Sequence, residues 1–240
     1  MTLFDHLEEL RKRIFVAVVA WIVAAVVGFF YRFTLLDWLK EPLPDGLTLN
    51  AFRLVEQFAV SMQIAGFAGL VIALPVIIWQ VWAFIAPGLY KEEQRWAVPF
   101  ILFTVLAFVT GVMFSYYVIL PPSVTILVSF LGDEVNTVLT IGNYISTLLA
   151  LMAVMGLIFE MPVLGFLLGR LGLLYAAVLT RVRRYAVVIG VTLAAVITPT
   201  GDPFSLALVS IPLLVLYEIT IIVVRLSQRR IPVSEEQISP

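Results

Sequence analysis

Six runs of apolar residues, most of them long enough to cross about 30 Å of hydrocarbon as a helix, constrain this chain more than any other feature. They are Ile14–Tyr31, Phe58–Ile85, Trp96–Leu120, Ile145–Leu168, Tyr185–Thr198 and Phe204–Val224, and the third ends at Pro121–Pro122. The expectation is an all-α membrane protein, one integral membrane domain over residues 1–240, with six transmembrane helices. The segments between the first and second runs (Phe33–Glu56) and the third and fourth (Ser123–Tyr144) are broken by Asp, Glu, Asn and Gly. They read as interfacial loops with short amphipathic helices. Composition agrees with a bilayer as solvent: 62% of residues are hydrophobic and 13% charged. Soluble domains run near 45–50% apolar and roughly 25% charged. The first run is too long for a signal-peptide core and lacks a small-residue cleavage site, so it reads as a retained first span.

Orientation follows from the 15 basic residues. Arg11, Lys12 and Arg13 precede the first run, Lys91 and Arg95 follow the second, and Arg170, Arg181, Arg183 and Arg184 lie between the fourth and fifth. Arg225, Arg229 and Arg230 come after the sixth, whereas only Arg32, Lys40 and Arg53 fall on the other side. Lys and Arg gather in cytoplasmic loops, so both termini are expected in the cytoplasm. The fifth run spans 14 residues before the tight turn "TPTGDP", and the sixth reaches Glu218 after a similar length. At 1.5 Å per residue each covers about 21 Å. A hairpin that short either leaves mismatch for neighbouring helices to absorb or thins the bilayer locally.

Composition also narrows the chemistry. With no cysteine there are no disulfides or thiolate sites, and one histidine, His6, leaves no material for a histidine metal cluster or a serine triad. Ionisable residues inside spans are costly and point to function by default. Glu160, in "LIFEMPV", lies about eight residues, or roughly 12 Å, from the expected cytoplasmic end of its span. It is either a protonated structural group bonded to a neighbouring helix, such as the one carrying Gln80, or a functional site. Glu218 lies seven residues before Arg225, where snorkelling or pairing with a cytoplasmic Arg accounts for it.

Two further acidic clusters flank the first three spans. In "TLFDHLEELRKRIF", Leu3, Leu7, Leu10 and Ile14 share one helical face. This predicts an interfacial helix that bends into the first span. Glu8–Lys12 and Glu9–Arg13 are i,i+4 pairs in the favourable order. Glu92 and Glu93 follow the break at Pro87–Gly88, where acids suit the first turn of the next helix. Plain helix capping is one reading of all these acids. The other is an acidic, partly apolar groove beside Phe84 and Tyr90, suited to a peptide that carries arginines, because guanidinium pairs bidentately with carboxylate.

The stretches "HLEELRKRI" (6–14), "IWQVWAFIAPGLYKEEQR" (78–95), "FEMPV" (159–163) and "TPTGDPFS" (198–205) resemble the TatC family, the receptor subunit of the twin-arginine protein translocase. The resemblance spreads over nearly the whole chain. It implies a cup-shaped bundle with short fifth and sixth helices in the inner membrane of a prokaryote. It also implies binding of Arg-Arg signal peptides, TatA and TatB as single-span partners, other copies of the chain as neighbours, and export of folded proteins driven by the protonmotive force. No cofactor, nucleotide or nucleic acid enters. By the same resemblance Glu9 and Glu93 match the acids that recognise the arginine pair, while Phe84 and Arg11 match other positions of that site. Glu160 matches the polar residue of the fourth span linked to TatA or TatB contact, Pro42 a proline of the first external loop, and Asp202 the acid between spans five and six. Glu92 has no firm counterpart and is auxiliary.

Three other readings compete. A secondary transporter would use Glu160 as a proton-coupled site, but the two halves show no internal repeat. An intramembrane enzyme lacks the nucleophile, base or metal ligands it needs. A scaffold would tolerate neutral replacements at Glu9 and Glu93.

Overall fold

The computed structural model describes residues 3–44, 47–86, 97–129, 138–197 and 203–228. The helices are α1 (Leu3–Phe30), α2 (Arg32–Lys40), α3 (Glu56–Ile85) and α4 (Ala97–Phe114). A π-helical turn (Ser115–Ile119) leads into α5 (Leu120–Ser129), and α6 (Ile141–Phe159), α7 (Met161–Arg170), α8 (Ala176–Ile197) and α9 (Pro203–Ser227) follow. Two two-residue strands, β1 (Leu49–Asn50) and β2 (Leu139–Thr140), pair in parallel with Leu49 opposite Leu139 and Asn50 opposite Thr140.

Among the described residues, five stretches are long and apolar enough to cross a membrane: Asp5–Phe30, Glu56–Ile85, Ala97–Ile126, Ile141–Arg170 and Pro203–Ser227. Helices suit lipid because every backbone donor and acceptor is satisfied within the segment. Large side chains such as Phe15, Val23 and Val26 of α1 are exposed, as lipid-facing residues should be. The core is centred on α6, where Ile145, Leu148, Met152 and Met155 are fully buried against Val60 and Ile64 of α3 and Phe108 and Val112 of α4.

Several expectations need correction. The amino-terminal segment does not bend into the first span but continues it as one 28-residue helix. Pro121 and Pro122 do not end the third span. They lie at the second and third positions of α5, and the π turn before them joins the two segments through Leu120 N–H to Ser115 O, so that the helix runs on through the prolines. The fourth span holds as one crossing stretch, but its helix is interrupted at Glu160. The last two helices are not short: α8 has 22 residues and α9 has 25. Arg181, Arg183 and Arg184 lengthen α8 beyond its apolar part, which keeps it out of the five membrane-crossing candidates. Glu218 lies within α9 and is paired with an arginine as expected, although the partner is Arg183 of α8, which donates to its carboxylate at 2.7 Å.

α1 and α3 run antiparallel with closely approaching backbones. A Cβ placed on Gly69 would lie 2.6 Å from Ala25 Cα, and one on Gly28 would lie 2.9 Å from Ala65 O. Small residues permit this contact, as is usual between helices in lipid. Trp21 Nε1 donates to Gly66 O at 2.9 Å and fixes the register. The same register carries Glu9 and Arg13 alongside Gln80 and Phe84 at the far end of the pair.

Candidate functional site

The amino-terminal end of α1 and the carboxy-terminal end of α3 form a mouth. Arg13 stands one helical turn after Glu9, and its guanidinium forks between two helices. Nη2 donates to Glu9 Oε1 at 3.0 Å, while Nη1 donates to Gln80 Oε1 of α3 at 3.2 Å. Glu9 Oε2 is buried and has no hydrogen-bond partner among the described residues. Beside it the ring of His6 stacks on Phe84, with centroids 4.4 Å apart and planes inclined by 22°. Glu9 is therefore an anion used on one oxygen only, next to an aromatic platform. Arg11 and Glu8 are exposed on the outer side of the helix. Tyr90, Glu92 and Glu93 lie outside the described residues, as does Asp202.

A second carboxylate sits at the break between α6 and α7. Glu160 ends one helix and begins the next, and Pro162, at the start of α7, lacks the N–H that would have carried α6 onward. The side chain is buried, at 8% exposure, and neither carboxylate oxygen makes a hydrogen bond of sound geometry. Its nearest polar neighbours are the Thr104 hydroxyl and the Phe108 amide of α4. They come close because α4 and α6 touch one turn away, where a Cβ on Gly111 would lie 2.5 Å from Met155 O. Gln80, considered from sequence as a partner for Glu160, instead accepts from Arg13. Beyond Pro162 the same α4–α7 groove widens into an apolar cavity of about 350 Å³ lined by Phe100, Phe103, Pro162, Val163 and Phe166.

The other end of α3 is a loop cap. Glu56 Oε2 accepts the Phe52 and Arg53 amides at 2.9 and 3.3 Å, and Oε1 accepts the Gly142 amide of α6 at 2.9 Å. Pro42 follows the end of α2 and cannot offer the amide that the Trp38 carbonyl would take in a continuing helix. That carbonyl accepts instead from Glu41 N at 3.1 Å and from the Tyr116 hydroxyl of the π turn at 2.6 Å. The next carbonyl, Leu39 O, accepts the Tyr144 hydroxyl at 2.9 Å, and the Trp38 and Tyr116 rings stack 4.0 Å apart. Pro42 thus opens the helix end to which two tyrosines dock α2. Sequence reasoning missed Tyr116, Tyr144 and Glu56, although the spacing in "WLKEP" marks the carbonyl that Pro42 leaves short of a donor. Thr104 carried no local signal.

Bent apolar helices, with carboxylates at a helix end and a helix break, define an integral membrane protein. Residues 5–212 match the family described as Sec-independent protein translocase protein (TatC). A relative from Deinococcus radiodurans named Sec-independent protein translocase protein TatC is 41% identical over 99% of this chain and 91% of its own. The Bacillus subtilis protein TatCy is 38% identical over 96% of this chain and 91% of its own. A crystal structure described as the twin arginine translocase receptor TatC superposes with a TM-score of 0.81, at 33% identity over 90% of this chain and 98% of that one. The chain belongs to the TatC family: it is a protein translocase component and not an enzyme. The intramembrane-enzyme alternative ends here, and the transporter alternative gives way to a role in Sec-independent translocation.

Proposed function

We propose that this chain is the receptor core of a twin-arginine translocation system, which binds Arg-Arg signal peptides at the mouth between α1 and α3. In this reading it crosses a prokaryotic inner membrane six times, α8 supplying the fifth crossing, with both termini in the cytoplasm where most of its Lys and Arg fall. It acts with TatA and TatB, and with further copies of itself, to export folded proteins on the protonmotive force. The observation that carries the proposal is Glu9, a carboxylate with one buried, unpartnered oxygen beside the His6–Phe84 stack. Glu9 and Glu93 each take a guanidinium of the peptide, Phe84 and Tyr90 flank its apolar part, and Arg11 lines the rim. Glu160 contacts TatA or TatB within the membrane, while Pro42 and Asp202 shape the external loops.

The test is binding of a fluorescent Arg-Arg signal peptide to the purified chain, beside a Lys-Lys version, each repeated with Glu9→Ala and Glu93→Ala. A charge-assisted contact of about 1.5–3 kcal/mol corresponds to roughly a 10- to 100-fold change in Kd. Lysine lacks the planar fork, so Lys-Lys binds less tightly. Equal affinity in every combination would reduce these carboxylates to helix caps.

A further inference from the structure

We infer that Arg13 is an internal stand-in for the signal peptide's arginine, holding Glu9 while the mouth is empty and moving onto Gln80 when the peptide arrives. The inference rests on the receptor reading of Glu9, and it concerns how that site is kept and vacated. A carboxylate facing an incoming guanidinium should not stand bare beside an apolar platform. Here it is held by a guanidinium of the same chain, at 3.0 Å. The hold is partial, because only Oε1 is taken and Oε2 stays buried without a partner.

What separates this arrangement from an ordinary i,i+4 pair is the second contact. Arg13 Nη1 already donates to Gln80 Oε1 at 3.2 Å, so the guanidinium keeps a partner on α3 after it surrenders Glu9. Gln80 is neutral and offers a carbonyl oxygen, a weaker acceptor than a carboxylate for a cation. Arg13 therefore rests on Glu9 when the mouth is empty and has somewhere to go when it is not. Neither end of the pair is sealed off, with the two side chains 31% and 19% exposed. An incoming arginine displaces Arg13 from Oε1 and, as the Glu9 carboxylate turns outward, engages Oε2 as well, gaining the bidentate geometry that a lysine cannot form. Displacement sharpens discrimination, since a ligand has to outcompete a guanidinium and an ammonium does so poorly.

The experiment measures Kd for Arg-Arg and Lys-Lys signal peptides on the full chain in nanodiscs, with folding checked by size exclusion. Arg13→Gln should tighten Arg-Arg binding about 3- to 10-fold and tighten Lys-Lys binding more, narrowing the gap between them. Lys12→Gln, which removes the same charge from the exposed neighbour, should change either Kd less than about twofold. Gln80→Leu should weaken Arg-Arg binding about threefold by leaving Arg13 on Glu9. In the Arg13→Gln background the same change should do nothing, a coupling that a merely structural Gln80 would not show. If Arg13→Gln does not fold, Arg13→Lys serves in its place. A lysine keeps the charge but lacks the planar fork that spans Glu9 and Gln80, so its hold on Glu9 should be weaker, binding should again tighten and the coupling to Gln80 should shrink. Weaker or unchanged binding in Arg13→Gln, with Glu9→Gln still weakening it, overturns the stand-in and leaves the receptor reading intact. Unchanged binding in Glu9→Gln overturns both.

Discussion

The two ends of α3 treat a carboxylate in opposite ways. At the loop cap, Glu56 spends both oxygens on three backbone amides from two separate segments, and β1 and β2 pair beside it. At the mouth, Glu9 has one oxygen held by a single arginine and one with no partner among the described residues. Both acids sit near helix ends, and from sequence both read as capping groups or loop residues. Their difference lies in what remains unused. An anion whose lone pairs are all taken by the chain's own amides has nothing left for a ligand and fixes structure. An anion with an unfilled oxygen, held by a group that has a second place to rest, keeps capacity for a partner. Cost points the same way, since a buried polar atom without a partner carries a desolvation penalty that persists only where something offsets it.

Removing Glu56 should therefore have the largest effect on folding and almost none on recognition. Glu56→Ala frees three amides at once and unties α6 from the start of α3. Its melting temperature in detergent should fall further than that of any other single carboxylate variant, while Arg-Arg peptide affinity stays within about twofold. A loss of affinity matching that of Glu9→Ala would break the contrast between the two ends. Tyr116→Phe comes next. It deletes the hydroxyl that Trp38 O accepts at 2.6 Å but spares the ring stack, so the expected loss is about 1–2 kcal/mol in unfolding experiments. Pro42→Ala in the same background tests the docking argument. The alanine amide can now supply the Trp38 carbonyl, and part of the lost stability should return.

What was legible in the sequence follows from what local chemistry can encode. Long apolar runs announced the helices because lipid leaves the backbone few alternatives. Glu160 stood out because a carboxylate in such a run is costly. Its surroundings were not legible, because Thr104 reaches it only through the crossing of Gly111 on α4 with α6, more than forty residues along the chain. Helix ends were misjudged where the sequence carried the wrong emphasis. Pro121–Pro122 looked like a terminator, yet the helix runs on through them by way of the preceding π turn. The arginines of α8 looked like the edge of a span, yet they are compatible with a helix that continues past its apolar part. Glu9–Arg13 was visible as a favourable pair. Its meaning depended on Gln80, 67 residues further along the chain, which no periodicity could supply.

Glu160 extends the comparison to its limit, since neither of its oxygens makes a sound hydrogen bond although the residue is almost fully buried. Were the carboxylate a structural tie like Glu56, replacing it should loosen the α4–α6 crossing. Were it held open for another chain, replacement should spare the fold and affect only function. Glu160→Gln keeps the size and removes the capacity for charge. The expected change in unfolding free energy is below about 0.5 kcal/mol, within the range of substitutions that break no named contact. Signal-peptide affinity should also stay unchanged, because the polar groups nearest Glu160, on Thr104 and Phe108, belong to α4 and not to the mouth. Export of a folded reporter in cells carrying the variant should nonetheless fall, as should cross-linking between this part of α6 and a single-span partner. Normal export with a marked loss of stability would place Glu160 beside Glu56 as a structural anion and leave Glu9 as the one carboxylate of the three held in reserve.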